Sequence, residues 1–307
     1  MKEAGNNKPI ITTKWLGGIS YEIAFWNNVY RWPHTFKGMM GWANYGSKIE
    51  LEGFDANAFL QKQTEPHVYD VGCGMSYAIG DKMECDGQLI PLDVHYVDPL
   101  AIHFNDILRR HKKDLPFIEF GMAEYLSAFI PSADASLITI QNALDHSSMP
   151  IKGIVESLVS LRTGGVLYLN HHPNEAEMEK YKGFHQYNVD EQDGKLIIWN
   201  KQERINVNEL LQDYASVETR QMPNGHIVAV ITKSSNNLPS HLQIYVDDTK
   251  DKGELCQVLL QFQYDNSSLL RNIRESIYFG MFNAVQCFAQ MLPWGLKMRL
   301  KRLIKQA

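Results

Sequence analysis

Short apolar runs alternate with amphipathic stretches through the middle of the chain. Residues 68–71, 92–97, 135–140 and 166–170 are apolar enough for strands covered on both faces, and 101–111 and 151–161 carry helical spacing. That alternation predicts a parallel sheet with helices on its faces. Ahead of it, residues 14–60 are dense in aromatics, with Ile19, Ile23, Trp26 and Tyr30 on one helical face and Pro33 ending that helix. Behind it, 217–222 and 227–231 alternate around Pro223-Asn224-Gly225, the pattern of an antiparallel hairpin that closes the sheet. Residues 268–291 read as a further helix and 294–305 as a basic one. The expected organisation is an aromatic-rich helical cap over 1–60, a core over 61–235 and an extension over 236–307.

The first strand leads into Val68-Tyr69-Asp70-Val71-Gly72-Cys73-Gly74-Met75-Ser76. An acid followed by two glycines is how a buried strand ends when its loop must pass close to a ligand, because glycine lets the backbone approach and leaves N–H groups pointing at it. A dinucleotide loop would want a third glycine where this chain has Tyr77, so a pyrophosphate seat is not expected and a smaller nucleoside ligand is. The second strand ends at Asp98, 26 residues after Gly72, near the spacing of ~20 at which an acid takes ribose hydroxyls.

This loop resembles the first motif of the class I S-adenosylmethionine-dependent methyltransferases, acid-x-Gly-x-Gly-x-Gly or -Ser, with Ser76 in the last place. Two further segments match in order. Gly121-Met122-Ala123-Glu124 stands where the family reads Gly-Asp-Ala-Glu, and Leu161-Arg162-Thr163-Gly164-Gly165 turns into the fifth strand. The resemblance implies an α/β, Rossmann-like, seven-stranded sheet, mostly parallel with an antiparallel closing hairpin and helical extensions at both ends. It implies S-adenosyl-L-methionine as cofactor, held by Asp70, Gly72, Cys73, Gly74, Asp98, Met122, Ala123 and Asn142. Met122 replaces the usual acid and cannot accept the adenine amino hydrogens, so backbone groups around Met122 and Ala123 would select the base. Glu124 is expected to cap a helix or face solvent.

Methyl transfer to a hydroxyl needs an aligned acceptor and a base, and in such sheets ligands bind at the carboxyl ends of the strands. Asp145-His146 after the fourth strand and His171-His172 after the fifth are the catalytic candidates, His146 first; His185, Gln186 and Asn188 are expected to bind substrate. No His-x3-His or paired-acid spacing is present, so no metal is expected; a cation held by these groups, as in some sugar O-methyltransferases, is the lesser alternative.

Composition narrows the partners. A net charge of −5 over 307 residues gives no bulk attraction to nucleic acid, and no base-flipping Asn/Asp-Pro-Pro-Tyr motif follows the fourth strand. Cys73, Cys85, Cys256 and Cys287 form no CxxC pair and read as reduced thiols. With no apolar leader at its start and no long apolar run, the chain is expected in the cytoplasm. Five basic residues beside an apolar stripe at 294–305 allow peripheral contact with the inner membrane surface, or a helix packed on the domain. The expected acceptor is a small polar molecule, a sugar or sugar-derived precursor of surface polysaccharide by resemblance to methyltransferases with a similar aromatic N-terminal segment and long ends. The alternatives are an N- or phosphoramidate-type small-molecule methyltransferase, or a non-catalytic scaffold that keeps the cofactor seat.

Overall fold

The structure is a computed structural model and describes residues 13–41, 43–131, 133–246 and 269–291. The elements run α1 (Thr13–Arg31), α2 (Pro33–Met40), α3 (Ala56–Leu60), β1 (His67–Val71), β2 (Lys82–Cys85), β3 (Gln88–Pro91), β4 (Asp93–Asp98) and α4 (Ala101–Arg110). Next come β5 (Glu119–Phe120), α5 (Leu126–Phe129), β6 (Ala135–Gln141), α6 (Pro150–Ser160), β7 (Leu161–His171) and α7 (Glu175–Met178). β8 (Asn188–Gln192), β9 (Lys195–Trp199), β10 (Arg204–Asn206), α8 (Val207–Leu211), β11 (Ala215–Gln221), β12 (Ile227–Lys233) and the helix Leu269–Met291, here α9, complete the order.

The main sheet has seven strands in the order β11-β12-β7-β6-β1-β4-β5. Every neighbouring pair from β7 to β5 is parallel, while β12 runs antiparallel to both β7 and β11. This is the mostly parallel, Rossmann-like seven-stranded sheet with a closing antiparallel hairpin that the sequence predicts. β1 lies between β6 and β4, so the crossovers leave it in opposite directions and its carboxyl end opens on a crevice at the point where strand order reverses.

Strand alternation explains the core. Val68, Leu137, Val166, Tyr168, Val228 and Val230 face one layer with Ile19, Trp26 and Phe104. Their chain neighbours Tyr69, Ile138, Leu167, Leu169, Ala229 and Ile231 face the other with Ile151, Ile154 and Leu158 of α6. Both faces are covered, which is why these strands read as continuous apolar runs. The outer side of α1 carries Tyr21 and Phe25, whose rings meet Phe279 of α9 at centroid separations of 4.9 and 5.8 Å.

Four features add to or depart from the sequence reading. No helix follows the glycine loop: the crossover from β1 to β4 is a loop and the β2–β3 hairpin. Helix α1 packs there instead, with the Tyr30 hydroxyl donating to the Met75 carbonyl (2.8 Å) and Trp26 lying 6.4 Å from the Phe104 ring. The loop therefore lacks the helix N-terminus that attracts phosphate, in keeping with a ligand without phosphates. Second, Leu161–Gly165 belongs to β7 rather than to a turn before it; Arg162 fastens this end by donating to the carbonyls of Thr64 and Asp134 (2.9 and 2.7 Å). Third, residues 188–206 form a separate three-stranded sheet that packs Val189, Leu196 and Ile198 into the second core layer. Fourth, Glu124 neither caps a helix nor faces solvent; it is 3% exposed and accepts from the Ser147 hydroxyl (2.6 Å) and the Ser148 amide (3.0 Å). The basic segment 294–305 lies outside the described residues, and among those described no helix is long and apolar enough to cross a membrane.

Candidate active site

Three loops at the carboxyl edge of the sheet come together. After β1 the chain turns through Gly72 (φ +68°) and Gly74 (φ +54°), conformations that favour glycine. Their amide environment is set by neighbours: Gly72 N donates to the Val97 carbonyl (2.8 Å), and Gly74 N donates to Asp98 Oδ2 (2.9 Å). A Cβ at Gly72 would stand 2.6 Å from the Ala143 Cβ, so the loop after β1 rests directly on the loop after β6. A Cβ at Gly74 would stand 3.0 Å from the Trp26 indole, so α1 covers the loop from the other side.

Asp70 and Asp98 are the buried acids of this half. The Thr139 hydroxyl, in register with Asp70 across β6, donates to Asp70 Oδ1 (2.6 Å), and Oδ2 has no partner among the described residues. Burial pushes the Asp70 carboxyl up to about 7 against that hydrogen bond. Asp98 was expected to face ribose hydroxyls; here its Oδ1 accepts from Leu100 N (2.8 Å) and its Oδ2 from Gly74 N. Burial raises it too, to about 7, with those two amides opposing. Each Asp98 oxygen keeps a second lone-pair direction, so the carboxylate can hold the loop and still accept a hydroxyl. Burial pushes the Cys73 thiol well up, and the neighbouring Asp98 and Asp70 add to this. Met122 is 3% exposed within the core, and Ala123 opens the 3₁₀ turn Ala123–Tyr125, against which Gly153 of α6 packs closely enough that a Cβ would be 3.1 Å away.

The second half is built from the loops after β6 and β7. Asn142, in the left-handed region at φ +49°, donates its amide to the Asn170 carbonyl (2.8 Å) and accepts from His172 N at Oδ1 (3.3 Å). Asp145 is 2% exposed. Its carbonyl accepts from the amides of Gln186 (2.9 Å) and Tyr187 (3.2 Å), and its Oδ2 accepts from His185 Nδ1 (2.7 Å), so the 185–187 segment is fastened to it three times. His146 Nε2 lies 3.5 Å from the same Oδ2. The two imidazoles meet edge to face at 4.6 Å. Burial works to raise the Asp145 carboxyl, but the imidazoles of His146, His185 and His171 overcome it and hold it down at about 2. Burial lowers His185, yet its bond to Asp145 outweighs that and raises it.

Successive residues of an extended chain point to opposite faces, and this separates His171, the last residue of β7, from His172 just after it. His171 is 1% exposed, burial pushes it down to about 4, and its electrostatic neighbours are Asp145, His146, His172 and His226. His172 faces the other way and meets His226 at 4.2 Å. Gln186 donates to the His146 carbonyl (3.3 Å). Asn188 does not join the cluster: it is buried, accepts from Glu177 N (2.9 Å) and donates to the Tyr181 hydroxyl (3.1 Å), bracing α7.

Sequence reading passed over Thr139, Phe184 and Glu175, and placed Trp26 only on the face of its helix. Thr139 had a signal, a hydroxyl inside an otherwise apolar strand. Phe184 had none; its ring lies on Gly18 of α1, 5.3 Å from Trp15 and 5.8 Å from His146. Helix α1 thus reaches the histidine cluster through Gly18 and the glycine loop through Trp26, positions about 12 Å apart at 1.5 Å per residue.

No protein-family model matches the chain, and no curated protein matches it. Among solved structures it is similar to the 16S rRNA N2 G1207 methyltransferase of T. thermophilus, solved with AdoMet and guanosine (14% identity, 63% of this chain and 43% of that one, TM-score 0.34). It is also similar to a SAM-dependent methyltransferase of Thermotoga maritima (16% identity, 68% of this chain and 99% of that one, TM-score 0.37). A third is an S-adenosylmethionine-dependent methyltransferase of Clostridium acetobutylicum (10% identity, 56% of this chain and 85% of that one, TM-score 0.35). The chain spans less than half the length of the first of these.

Proposed function

We propose that this chain is an S-adenosylmethionine-dependent methyltransferase acting on a small polar acceptor, a hydroxyl of a sugar or sugar-derived precursor of surface polysaccharide. The observation that carries the reading is the juxtaposition of Gly72 and Ala143, which sets a two-glycine ligand loop against the loop that bears Asp145 and His146. A nucleoside cofactor fits the first half. Asp70 Oδ2 is a buried acceptor with no partner among the described residues, suited to an ammonium or hydroxyl group, and Gly72 and Gly74 leave the loop without side chains. Asp70, Gly72, Cys73, Gly74 and Asp98 would hold S-adenosylmethionine, with Met122, Ala123 and Asn142 at its base end. When bound, the cofactor supplies an electrophilic methyl group. The chain's own part is to hold the acceptor and take its proton at the second half. Asp145 stays ionised there and holds His185 through Nδ1, the imidazole of His146 beside it is the base, and His185 and Gln186 position the acceptor. Trp26 and Phe184 shut water out from the α1 side.

Titration of the full chain with S-adenosylmethionine and S-adenosylhomocysteine, followed by methyl-transfer assays over nucleotide sugars and simple amines, tests this. Binding of both cofactor forms with turnover on a sugar hydroxyl is expected. Binding without turnover on any acceptor would favour the scaffold alternative, and turnover on amines alone would move the acceptor class.

A further inference from the structure

Several buried polar atoms around Asp145 have no hydrogen-bond partner among the described residues: Asp145 Oδ1, His146 Nε2, both ring nitrogens of His171, and Glu175 Oε2. Asp145 and His171 are 2% and 1% exposed, so bulk water does not reach them. Unmatched buried polar atoms are costly, and one isolated case could be a tolerated defect. A group of them around one carboxylate, all able to ligate, is chemistry suited to a cation.

We propose that Asp145, His146 and His185 form a binding site for one divalent transition-metal cation of the zinc or iron(II) type. One ligand atom from each of the three lies within 4.8 Å of the others. Asp145 Oδ2 is 3.5 Å from His146 Nε2, close to the separation of about 3.3 Å between ligands around an ion with bonds of about 2.0–2.1 Å. The shorter 2.7 Å contact to His185 Nδ1 is a hydrogen bond whose proton the cation would replace. Imidazole and carboxylate together select zinc, iron(II) and similar ions over magnesium or calcium, which prefer oxygen. Preorganisation is built into the backbone, since the Asp145 carbonyl holds the amides of Gln186 and Tyr187 and so fixes His185. Three protein ligands leave at least one coordination position open for an acceptor oxygen. The ligands come from loops 40 residues apart, so no local spacing announces them.

Cation binding rests on this cluster alone; only its use in turnover rests on the methyltransferase reading. With the cation in place His146 serves as a ligand, and the metal acidifies the acceptor hydroxyl in its stead.

The test uses the full chain, stripped by chelation and titrated calorimetrically with ZnCl2, with CoCl2 absorption as a second probe and no cofactor present. One ion per chain at micromolar affinity or tighter is expected, with visible cobalt bands of nitrogen–oxygen ligation. His146→Gln and His185→Gln should each weaken binding by at least about 100-fold, while His172→Ala should bind as the parent does. In the unsubstituted protein, zinc should shift the ring nitrogen resonances of His146 and His185 and leave His226 in place, which holds the test if a variant fails to fold. No binding, binding unmoved by the two glutamine variants, or equal competition by MgCl2 would each overturn the proposal. S-adenosylmethionine binding measured separately shows whether the methyltransferase reading stands or falls by itself.

Discussion

The two ends of the same strands carry similar residues in opposite states. At the amino end of the sheet, His67 pairs with Asp134 (2.7 Å) and lies 3.9 Å from Asp93, and the Tyr69 hydroxyl donates to Asp134 (3.2 Å). His95, in register with Tyr69 and stacked on it at 4.6 Å, pairs with Glu119 (2.7 Å) and lies 3.4 Å from Asp93. At the carboxyl end, Asp70, Asp145 and His171 are more deeply buried and each has a polar atom with no partner among the described residues. A closed, half-exposed network stabilises the fold; an open, buried one keeps polar groups ready for something that is not protein. The contrast separates the histidines at the two edges of the sheet more sharply than residue type does.

The largest expected effect tests that separation directly. His146→Ala should cut methyl transfer by about 10²–10⁴ while leaving cofactor affinity unchanged, whether the imidazole takes a proton or holds a cation. His95→Ala, the matching histidine at the other end, should leave turnover within a few-fold. Equal losses in steady-state assays would break the comparison.

Gly72→Val should come next. The side chain needs a positive φ that branched residues avoid, and its Cβ would meet Ala143 at 2.6 Å. Titration should show cofactor binding weakened at least about tenfold, with Gly72→Ala less affected and improved by Ala143→Gly. A Gly72→Val protein that binds normally would remove the loop from the site.

The closed network should answer to stability measurements and not to activity. Burial works to raise the Asp134 carboxyl, but its bonds to His67 and Tyr69 outweigh this and lower it. A depressed acid contributes stability above its unfolded value and loses it as pH falls through its folded value. Asp134→Ala should therefore cost about 1–2 kcal/mol at neutral pH, the low end of the range for charged hydrogen bonds because the carboxylate is 27% exposed, and progressively less in acid. Denaturant titrations at several pH values check this.

The open network should show the reverse sign. Asp70 is raised from 3.8 to about 7, so the folded state binds more protons between those values and its stability falls as pH rises through them. Asp70→Asn keeps an acceptor for Thr139 and cannot ionise. Its ligand-free melting temperature should match the parent below about pH 4, exceed it increasingly up to about pH 7 and hold a constant margin above that, by a few degrees at most, while cofactor affinity falls. A variant less stable at pH 8 would mean that Asp70 has a partner at this edge.

Legibility in the sequence followed the range of the forces involved. Apolar runs, helical spacing and the Pro223-Asn224-Gly225 turn are local, and they predicted the strands, their flanking helices and the closing hairpin, because period and turn chemistry act within a few residues. The Gly72–Gly74 loop was legible for the same reason, since positive φ is a property of the residue itself. Tertiary structure alone decided what faces what. It put α1 where the crossover has no helix and turned His171 inward and His172 outward. It also carried His185 across 40 residues to Asp145 and bound Asn188 into the support of α7. Those outcomes depend on which surfaces bury one another, and burial is a sum over the whole chain that no short stretch of sequence contains.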